Sequence, residues 1–208
     1  MRPLQNAAAI NSAMNDLTRR GLIFGAAGLA TIAVFAGLDR VASSSLLEKE
    51  EPADPNITVE IVQFDECGKR TGKVRQQKIH KTIEEWRRSL TPSQFAITRR
   101  AGTEIPYSGE LVNEHRPGIF RCADCATALF DCKTKFESGT GWPSFWEAIA
   151  PENIHEKDDF GMGILRREVK CMLCDAHLGH VFTDGPDPTG LRYCMNSAAM
   201  KFSPLRAA

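Results

Sequence analysis

The sequence predicts a mainly β fold of antiparallel strands and many turns, with a few helices, and two observations favour it. After Gly102, short apolar runs are separated by Gly, Pro, Asp and Ser, which is the pattern of strands joined by turns; the runs are GIFRC, ALFDC, RREVKC, HVFTD and LRYCMN. Residues 57–74 alternate apolar and polar side chains around the turn sequence DECG. That alternation predicts a β-hairpin, so residues 57–78 are assigned to a hairpin extension of the main domain.

The composition excludes some classes of protein. The 208 residues include 26 basic and 26 acidic side chains, so the formal net charge is zero. No basic stripe interleaved with aromatic residues is present, which argues against a nucleic-acid partner. Seven cysteines cannot all pair within one chain, so at least one is free, metal-bound or reactive.

Residues 1–43 have the pattern of an export signal. Arg19 and Arg20 directly precede an apolar run over residues 21–38, and the small residues of VASSS follow it. The paired arginines resemble a twin-arginine signal, which predicts a periplasmic protein. The run also approaches the length of a membrane span, so an uncleaved anchor facing the periplasm is the alternative. Residues 44–56 are polar and acidic, contain two prolines, and are predicted to be a linker.

The main domain, residues 79–208, is predicted to begin with two short helices. Apolar residues recur at helical spacing at Ile83, Trp86 and Leu90. Thr82 with Glu85 forms a capping-box pattern at the start of this helix. Thr91-Pro92 interrupts the pattern, and a second helix is expected over residues 92–100 because proline is favoured in a first helical turn.

Two C-x2-C pairs, Cys122 with Cys125 and Cys171 with Cys174, predict a metal site. Each tight turn directs two thiolates at one point, and two such turns make the four-thiolate tetrahedral geometry of structural zinc. We expect one Zn²⁺ per chain, with no open position for catalysis. The alternatives are two disulfides, which would close loops too short to remove much chain entropy, and a thioredoxin-like redox pair, for which the βαβ setting is missing.

Cys194 stands apart from these pairs, in the segment LRYCMN. In a strand, residues two apart share a face, so Arg192, Cys194 and Asn196 should point to one side, and Tyr193 and Met195 to the core. A neighbouring cation stabilises a thiolate, which is the nucleophilic form of cysteine. The pattern alone leaves two readings open: a reactive thiol, or a buried structural cysteine.

Two longer stretches carry a resemblance to a known family. SGTGWPSFWEAI (residues 138–149), CDAHLGHVFTDGPDPTGLRYCMNSAAMKF (residues 174–202) and both C-x2-C pairs closely resemble the B-type peptide methionine-R-sulfoxide reductases. The resemblance runs from about Ile79 to the C-terminus. It implies two antiparallel β-sheets with flanking helices, and an enzyme that reduces methionine-R-sulfoxide in peptides and proteins. We expect a monomer, although the sequence leaves the oligomeric state open. A thioredoxin-like reductant is the implied partner.

The resemblance also implies catalytic roles. Cys194 would attack the sulfoxide sulfur and become a sulfenic acid. His177 and His180 would supply imidazoles suited to proton transfer near neutral pH, and one of them, with Asn196, would hold the sulfoxide oxygen.

Four further residues are expected around these groups. Trp142 and Phe182 would form an aromatic box for the S-methyl group of the substrate, since methyl groups and sulfur contact rings favourably. Asp184 and Arg192 would fix the histidines and the thiolate by charge.

The sequence departs from the family at the resolving cysteine. Many members have that cysteine two residues before the tryptophan of GWPSF, where this chain has Thr140. Cys67, in the predicted hairpin loop, and Cys132 are the substitutes, and Cys67 is favoured because a loop can move towards the site. A single-cysteine cycle completed by an outside thiol is the third possibility.

Two other functions compete with the reductase. A zinc-ribbon-like binding module would use the same cysteine pairs as a scaffold, without any need for Cys194 or the histidines. A disulfide oxidoreductase would suit an exported, cysteine-rich chain, but it needs a redox-active C-x-x-C, and both pairs are assigned to metal.

Overall fold

The computed structural model describes residues 57–160 and 165–206. The predicted export signal (residues 1–43) and linker (residues 44–56) lie outside the described residues and stay predictions. Among the helices of the described part, none is long and apolar enough to cross a membrane.

The N-terminal hairpin forms as predicted. Strands β1 (Thr58–Phe64) and β2 (Arg70–Gln77) pair antiparallel, so the second strand continues three residues past the predicted end of the alternation. The loop is organised by Asp65, whose carboxylate accepts hydrogen bonds from the backbone N–H of Cys67 (2.9 Å) and Lys69 (2.8 Å). Cys67 is therefore exposed at the tip of an ordered turn.

A buried asparagine attaches this hairpin to the main domain. The Asn153 side-chain oxygen accepts from the Val62 N–H (2.7 Å), and its Nδ2 donates to the carbonyls of Val62 (2.9 Å) and Ala128 (2.8 Å). Asn153 and Val62 are almost completely buried. Because unpaired polar groups are costly in a core, these bonds fix the position of the hairpin.

Two capped helices follow, α1 (Ile83–Ser89) and α2 (Pro92–Arg100). The predicted capping box of Thr82 and Glu85 is present, and Thr91 with Gln94 forms a second one. Trp86 and Leu90 are buried as the spacing predicts, whereas Ile83 is 45% exposed. It lies in the first turn, where the helix has not yet reached the core.

Nine strands form two antiparallel sheets in addition to the hairpin. A six-stranded sheet has the order β5-β6-β10-β9-β8-β7, and a three-stranded sheet has the order β11-β3-β4. The strands are β3 (Gly118–Cys122), β4 (Ala128–Asp131), β5 (Lys135–Phe136), β6 (Ser144–Phe145), β7 (Ile154–Asp159), β8 (Arg166–Cys171), β9 (His177–Phe182), β10 (Arg192–Met195) and β11 (Met200–Pro204). Short 3-10 turns occupy Cys132–Thr134, Pro151–Asn153 and Ser197–Ala199. The predicted fold class is confirmed.

An aromatic cluster joins the two sheets. Phe145 of the large sheet stacks on Phe130 of the small sheet, with ring centroids 4.4 Å apart, and meets the edge of Phe120 at 4.9 Å. Tyr193 on β10 lies 5.6 Å from Phe130. The core-facing side of β10 is thereby defined, and its other side carries Cys194.

Candidate active site and metal centre

The four paired cysteines converge. Each pair spans a tight turn, and the ligand sulfurs lie within 4.8 Å of one another; the four are Cys122, Cys125, Cys171 and Cys174. The closest separations are 3.7 Å between Cys122 and Cys174 and 3.5 Å between Cys125 and Cys171. A tetrahedral zinc with bonds of about 2.3 Å places its sulfurs roughly 3.8 Å apart, so these residues fit a structural metal. All seven cysteines belong to the described residues, and none is in a disulfide.

Arg99 on α2 holds both cysteine turns, which the sequence did not reveal. Its guanidinium donates to the Cys174 carbonyl (2.7 Å), pairs with Asp124 between the first two ligands, and lies 3.6 Å from the Trp86 ring centroid. The Asp124 side chain has no exposed surface. A four-thiolate zinc site carries net negative charge, and this cation lies beside it.

Cys194 lies in the large sheet between two polar neighbours, with Ser144 opposite it on β6 and His180 opposite it on β9. Its Sγ is 3.8 Å from the Thr140 hydroxyl. Tyr193 and Met195 are buried in the core, as the predicted alternation requires.

The surroundings of Cys194 favour its protonated form. Burial raises the pKa of the Cys194 thiol above its ordinary value, and the effect outweighs the opposing interactions with Thr140, Arg192 and Ser144. Arg192 lowers the pKa of Cys194, as expected of a neighbouring cation, but this effect is smaller than the effect of burial. The raised pKa favours the thiol over the thiolate at neutral pH.

A chain of hydroxyl groups continues from this sulfur. The Thr140 hydroxyl is 2.8 Å from that of Ser138, which is 2.7 Å from that of Ser144. Thr140 therefore contacts the Cys194 sulfur from the position where the resemblance implies a resolving cysteine in many family members.

A β-bulge brings the two histidines together. Residues three apart on a regular strand point to opposite faces, but the register of β8 and β9 shifts beside Gly179, so that His177 pairs with Lys170 and Gly179 with Val169. The two imidazole rings lie 5.5 Å apart, edge to face. Gly179 is required because a Cβ there would lie 2.1 Å from the Cys194 carbonyl oxygen.

Each histidine is oriented by a carboxylate that the sequence did not reveal. His177 Nδ1 is 2.7 Å from Glu168, and His180 Nε2 is 2.9 Å from Asp159. The other ring nitrogen of His177, Nε2, is buried and has no hydrogen-bond partner among the described residues. Burial lowers the pKa of His180, against the opposing effect of Asp159, so His180 is neutral at pH 7.

Asp184 forms an ion pair with Arg192. Its carboxylate accepts two hydrogen bonds from Arg192, each 2.9 Å long, and the Arg192 guanidinium lies 4.4 Å from the Phe182 ring centroid. The two charged residues expected to fix the histidines and the thiolate are thus paired with each other, and Arg192 alone reaches Cys194.

Asn196 and Trp142 are held by a residue that the sequence did not single out, Glu104. The Asn196 side-chain oxygen accepts from the Glu104 N–H (3.1 Å), and its Nδ2 donates to the Leu178 carbonyl (3.1 Å). The Trp142 indole N–H donates to the Glu104 carbonyl (3.1 Å). The Asn196 side chain is buried, with 3% of its surface exposed. Its amide has two N–H groups, and the bond to Leu178 uses one of them, so the other is left for a further hydrogen bond.

The structure does not bring either candidate resolving cysteine to Cys194. The hairpin tip with Cys67 is bound to the C-terminal segment: Arg206 donates its backbone N–H to the Glu66 carbonyl (3.0 Å) and forms an ion pair with the Glu66 carboxylate (2.6 Å). Cys132 is half-buried at the start of a 3-10 turn, packed against the core.

Comparison with known proteins agrees with this site. The SelR domain model matches residues 90–204. Three relatives carry the name peptide methionine sulfoxide reductase MsrB. That of Pseudomonas aeruginosa (strain UCBPP-PA14) is 54% identical over 127 residues, that of Leifsonia xyli subsp. xyli 52% over 130, and that of Bradyrhizobium diazoefficiens 49% over 132. The alignments cover 61–64% of this chain and 94–96% of the relatives. The chain belongs to the SelR-domain family, the peptide methionine sulfoxide reductases MsrB.

Proposed function

We propose that the protein reduces methionine-R-sulfoxide in peptides and proteins to methionine, with Cys194 as the nucleophile. The observation that carries the proposal is the placement of Cys194 beside a bulged strand bearing His177 and His180. Family membership supports the reaction, and the choice of the R epimer follows from the family resemblance.

In the first step, oxygen passes from substrate to enzyme. The Cys194 sulfur attacks the sulfoxide sulfur and forms an S–S bond as the substrate oxygen takes up a proton. The hydroxyl then passes to the Cys194 sulfur, while the S–S bond and the S–O bond of the substrate break and methionine leaves. The oxygen ends on Cys194 as a sulfenic acid, so the substrate gains two electrons and the cysteine loses two. Because Cys194 starts as a thiol, its own proton balances the hydroxyl that forms.

His177 is the group we assign to the sulfoxide oxygen. Glu168 orients the ring through Nδ1, and the buried Nε2, which has no partner among the described residues, is left for the substrate. With a proton on it, Nε2 donates a hydrogen bond where negative charge develops on the sulfoxide oxygen. Asn196 contributes its remaining N–H to the same oxygen.

The apolar end of the substrate is assigned to the rings of Trp142 and Phe182. Both are half-buried, and each is fixed by a polar contact: the Trp142 indole by the Glu104 carbonyl, and Phe182 by the guanidinium of Arg192 above its face. Aromatic faces and edges favour methyl and sulfur contacts by about 0.3–1.5 kcal/mol.

The metal is assigned as zinc, one per chain. Four thiolates in tetrahedral reach suit zinc, and a filled site leaves no position for substrate, so the ion is structural. When bound, it ties the turn after β3 to the turn after β8.

The sulfenic acid must be reduced before another turnover. We assign this to a resolving thiol, with Cys67 as first candidate and Cys132 as second, followed by a thioredoxin-like dithiol; an outside thiol acting directly on Cys194 is the alternative. Attack by a thiol releases water and leaves a disulfide, which the dithiol then reduces. The Cys67 loop must release its contacts with Arg206 to reach Cys194.

Disulfide mapping tests the recycling route. After one equivalent of substrate, the trapped protein is expected to contain a Cys67–Cys194 disulfide, detected by peptide mass spectrometry, while Cys132→Ser behaves like the wild type. A Cys67→Ser variant that still cycles fully with thioredoxin would exclude Cys67.

The proposed setting is the periplasm, where the enzyme would repair oxidised exported proteins. The support is the twin-arginine pattern at Arg19 and Arg20, with an uncleaved membrane anchor as the alternative. Replacing both arginines by lysine is expected to retain the protein in the cytoplasm, as cell fractionation would show.

Replacement of Cys194 by serine tests the reaction itself. The variant is expected to lose turnover of an R-sulfoxide peptide. It should keep the wild-type fold and metal content, because Cys194 is not one of the four cysteines of the metal cluster. The S-sulfoxide peptide is the substrate control. Retained turnover would refute the proposed function and leave the binding-module reading.

A further inference from the structure

A mostly exposed segment, residues 101–110, lies beside the Cys194 site, where its half-buried residue Glu104 makes several hydrogen bonds. Tyr107 also ties the segment to the carbonyls of Gly141 (2.7 Å) and Gly139 (2.6 Å). The Glu104 carboxylate accepts hydrogen bonds from the backbone N–H groups of Ser197 (2.5 Å) and Ala198 (3.1 Å). Those two residues begin the 3-10 turn Ser197–Ala199, whose preceding residue, Asn196, supplies no side-chain cap. Glu104 caps that turn from 93 residues away in sequence.

The backbone of the same residue holds two parts of the substrate site. Its N–H bonds to the side-chain oxygen of Asn196, and its carbonyl accepts from the indole of Trp142, both at 3.1 Å. The first bond fixes which end of the Asn196 amide carries the donors. The second sets the orientation of the Trp142 ring.

The carboxylate is therefore the anchor for both backbone contacts. Charged acceptors form stronger hydrogen bonds than neutral ones, and this one spans two adjacent N–H groups. The bonds of Tyr107 hold the segment three residues further on, but the carboxylate bonds belong to the residue whose backbone contacts Trp142 and Asn196. Without them, the Glu104 backbone would shift, and with it the two groups that fix Trp142 and Asn196. Gly109 shows how closely the segment approaches, since a Cβ there would lie 2.1 Å from the Ser197 hydroxyl.

We propose that Glu104 is a positioning residue for sulfoxide binding, which sets the aromatic wall at Trp142 and the amide of Asn196 through the bonds of its carboxylate to the Ser197–Ala199 turn. Glu104 does not touch substrate in this role. The inference rests on the proposed function, and it adds a specificity-determining element from outside the motifs that contain the catalytic residues.

Two substitutions test the anchor. Glu104→Ala removes both acceptor oxygens, and Glu104→Gln keeps one of them; Glu110→Gln, an exposed acid of the same segment, is the matched control. The measurements are kcat and KM for an R-sulfoxide peptide, the thermal midpoint, and the ¹H–¹⁵N indole resonance of Trp142, assigned with Trp142→Phe.

Glu104→Ala is expected to raise KM roughly tenfold to a hundredfold, the loss typical of hydrogen bonds to a charged group. Glu104→Gln should lie between Glu104→Ala and the wild type, and Glu110→Gln should match the wild type. The Trp142 indole resonance should move in the order of the KM changes, which a purely structural cap would not cause.

The proposal is overturned if both Glu104 variants keep KM within twofold and the Trp142 resonance in place, even if their thermal midpoints fall. If Glu104→Ala does not fold, Glu104→Gln decides alone by the same two measurements. If the wild type itself fails to reduce the peptide, the proposed function is refuted, and the indole resonance then decides whether the anchor exists.

Discussion

The four-cysteine metal cluster and the Cys194 site both use cysteine side chains, but the groups around the sulfur atoms differ. In the cluster, four sulfurs lie within 4.8 Å of one another, and Cys122 and Cys171 have no exposed surface. Cys194 is half-buried, and the neighbours described for it are the hydroxyls of Thr140 and Ser144 and the guanidinium of Arg192.

The difference shows what decides the role of a cysteine. Sulfurs that face one another can share one cation, and once they do, they have no capacity left for chemistry. A single sulfur with hydroxyl neighbours and access to solvent keeps its lone pair for a substrate. The groups around a cysteine therefore decide whether it serves as a metal ligand or as a nucleophile. Substitutions that alter one of these groups test this difference.

The largest effect is expected from Cys171→Ser. It removes one of four metal ligands, and structural zinc typically contributes about 10–16 kcal/mol of apparent binding energy, comparable to or above the whole stability of a domain. We expect loss of the metal and of cooperative folding, measured by metal analysis and thermal unfolding. Cys132→Ser, outside the cluster, is the control. Stoichiometric metal and an unchanged midpoint in Cys171→Ser would contradict the metal assignment.

A smaller effect is expected from Arg99→Ala. Burial raises the pKa of the Asp124 carboxyl and Arg99 opposes that shift, so its removal leaves a buried acid without its cation. Breaking such a pair costs about 3–5 kcal/mol. Denaturant unfolding should show this loss, and a chelator should remove the metal faster.

Arg100→Ala is the matched control, because Arg100 lies next in the same helix and is exposed, with its guanidinium 5.8 Å from the Phe95 ring centroid. Equal stability and equal metal release in the two variants would show that Arg99 does not support the cysteine turns.

The sequence predicted the parts of the site that depend on local pattern. Alternation alone placed Tyr193 and Met195 in the core and Cys194 on the opposite face of β10. The C-x2-C spacing predicted both cysteine turns, since the turn is short enough for its residues to determine it.

Long-range partners could not be predicted in this way. Glu168, Asp159 and Glu104 lie 9, 21 and 93 residues from the groups they hold. No period or motif links residues that meet only after the sheet has formed.

The register between β8 and β9 could not be predicted from the sequence either. A regular strand would have separated His177 from His180, and the bulge that unites them depends on how β8 pairs with β9. Gly179 was the available signal, because a glycine within a strand often marks a bulge or a close approach of backbone.

The smallest effect concerns the charge of Cys194. Only the thiolate reacts with an alkylating agent, and burial raises the pKa of this thiol, so its alkylation should be slow at pH 7. The rate should still be rising at pH values where the rate of a peptide cysteine, with a pKa of about 8.5, has levelled off.

Thr140→Val removes a hydroxyl that lowers the pKa of Cys194, so the midpoint of the alkylation rate against pH should move further up. Thr71→Val, on the exposed hairpin, should leave it unchanged. Rates are followed on the Cys194 peptide by mass spectrometry, and a wild-type midpoint below that of the peptide would mean that Arg192, and not burial, governs the thiol.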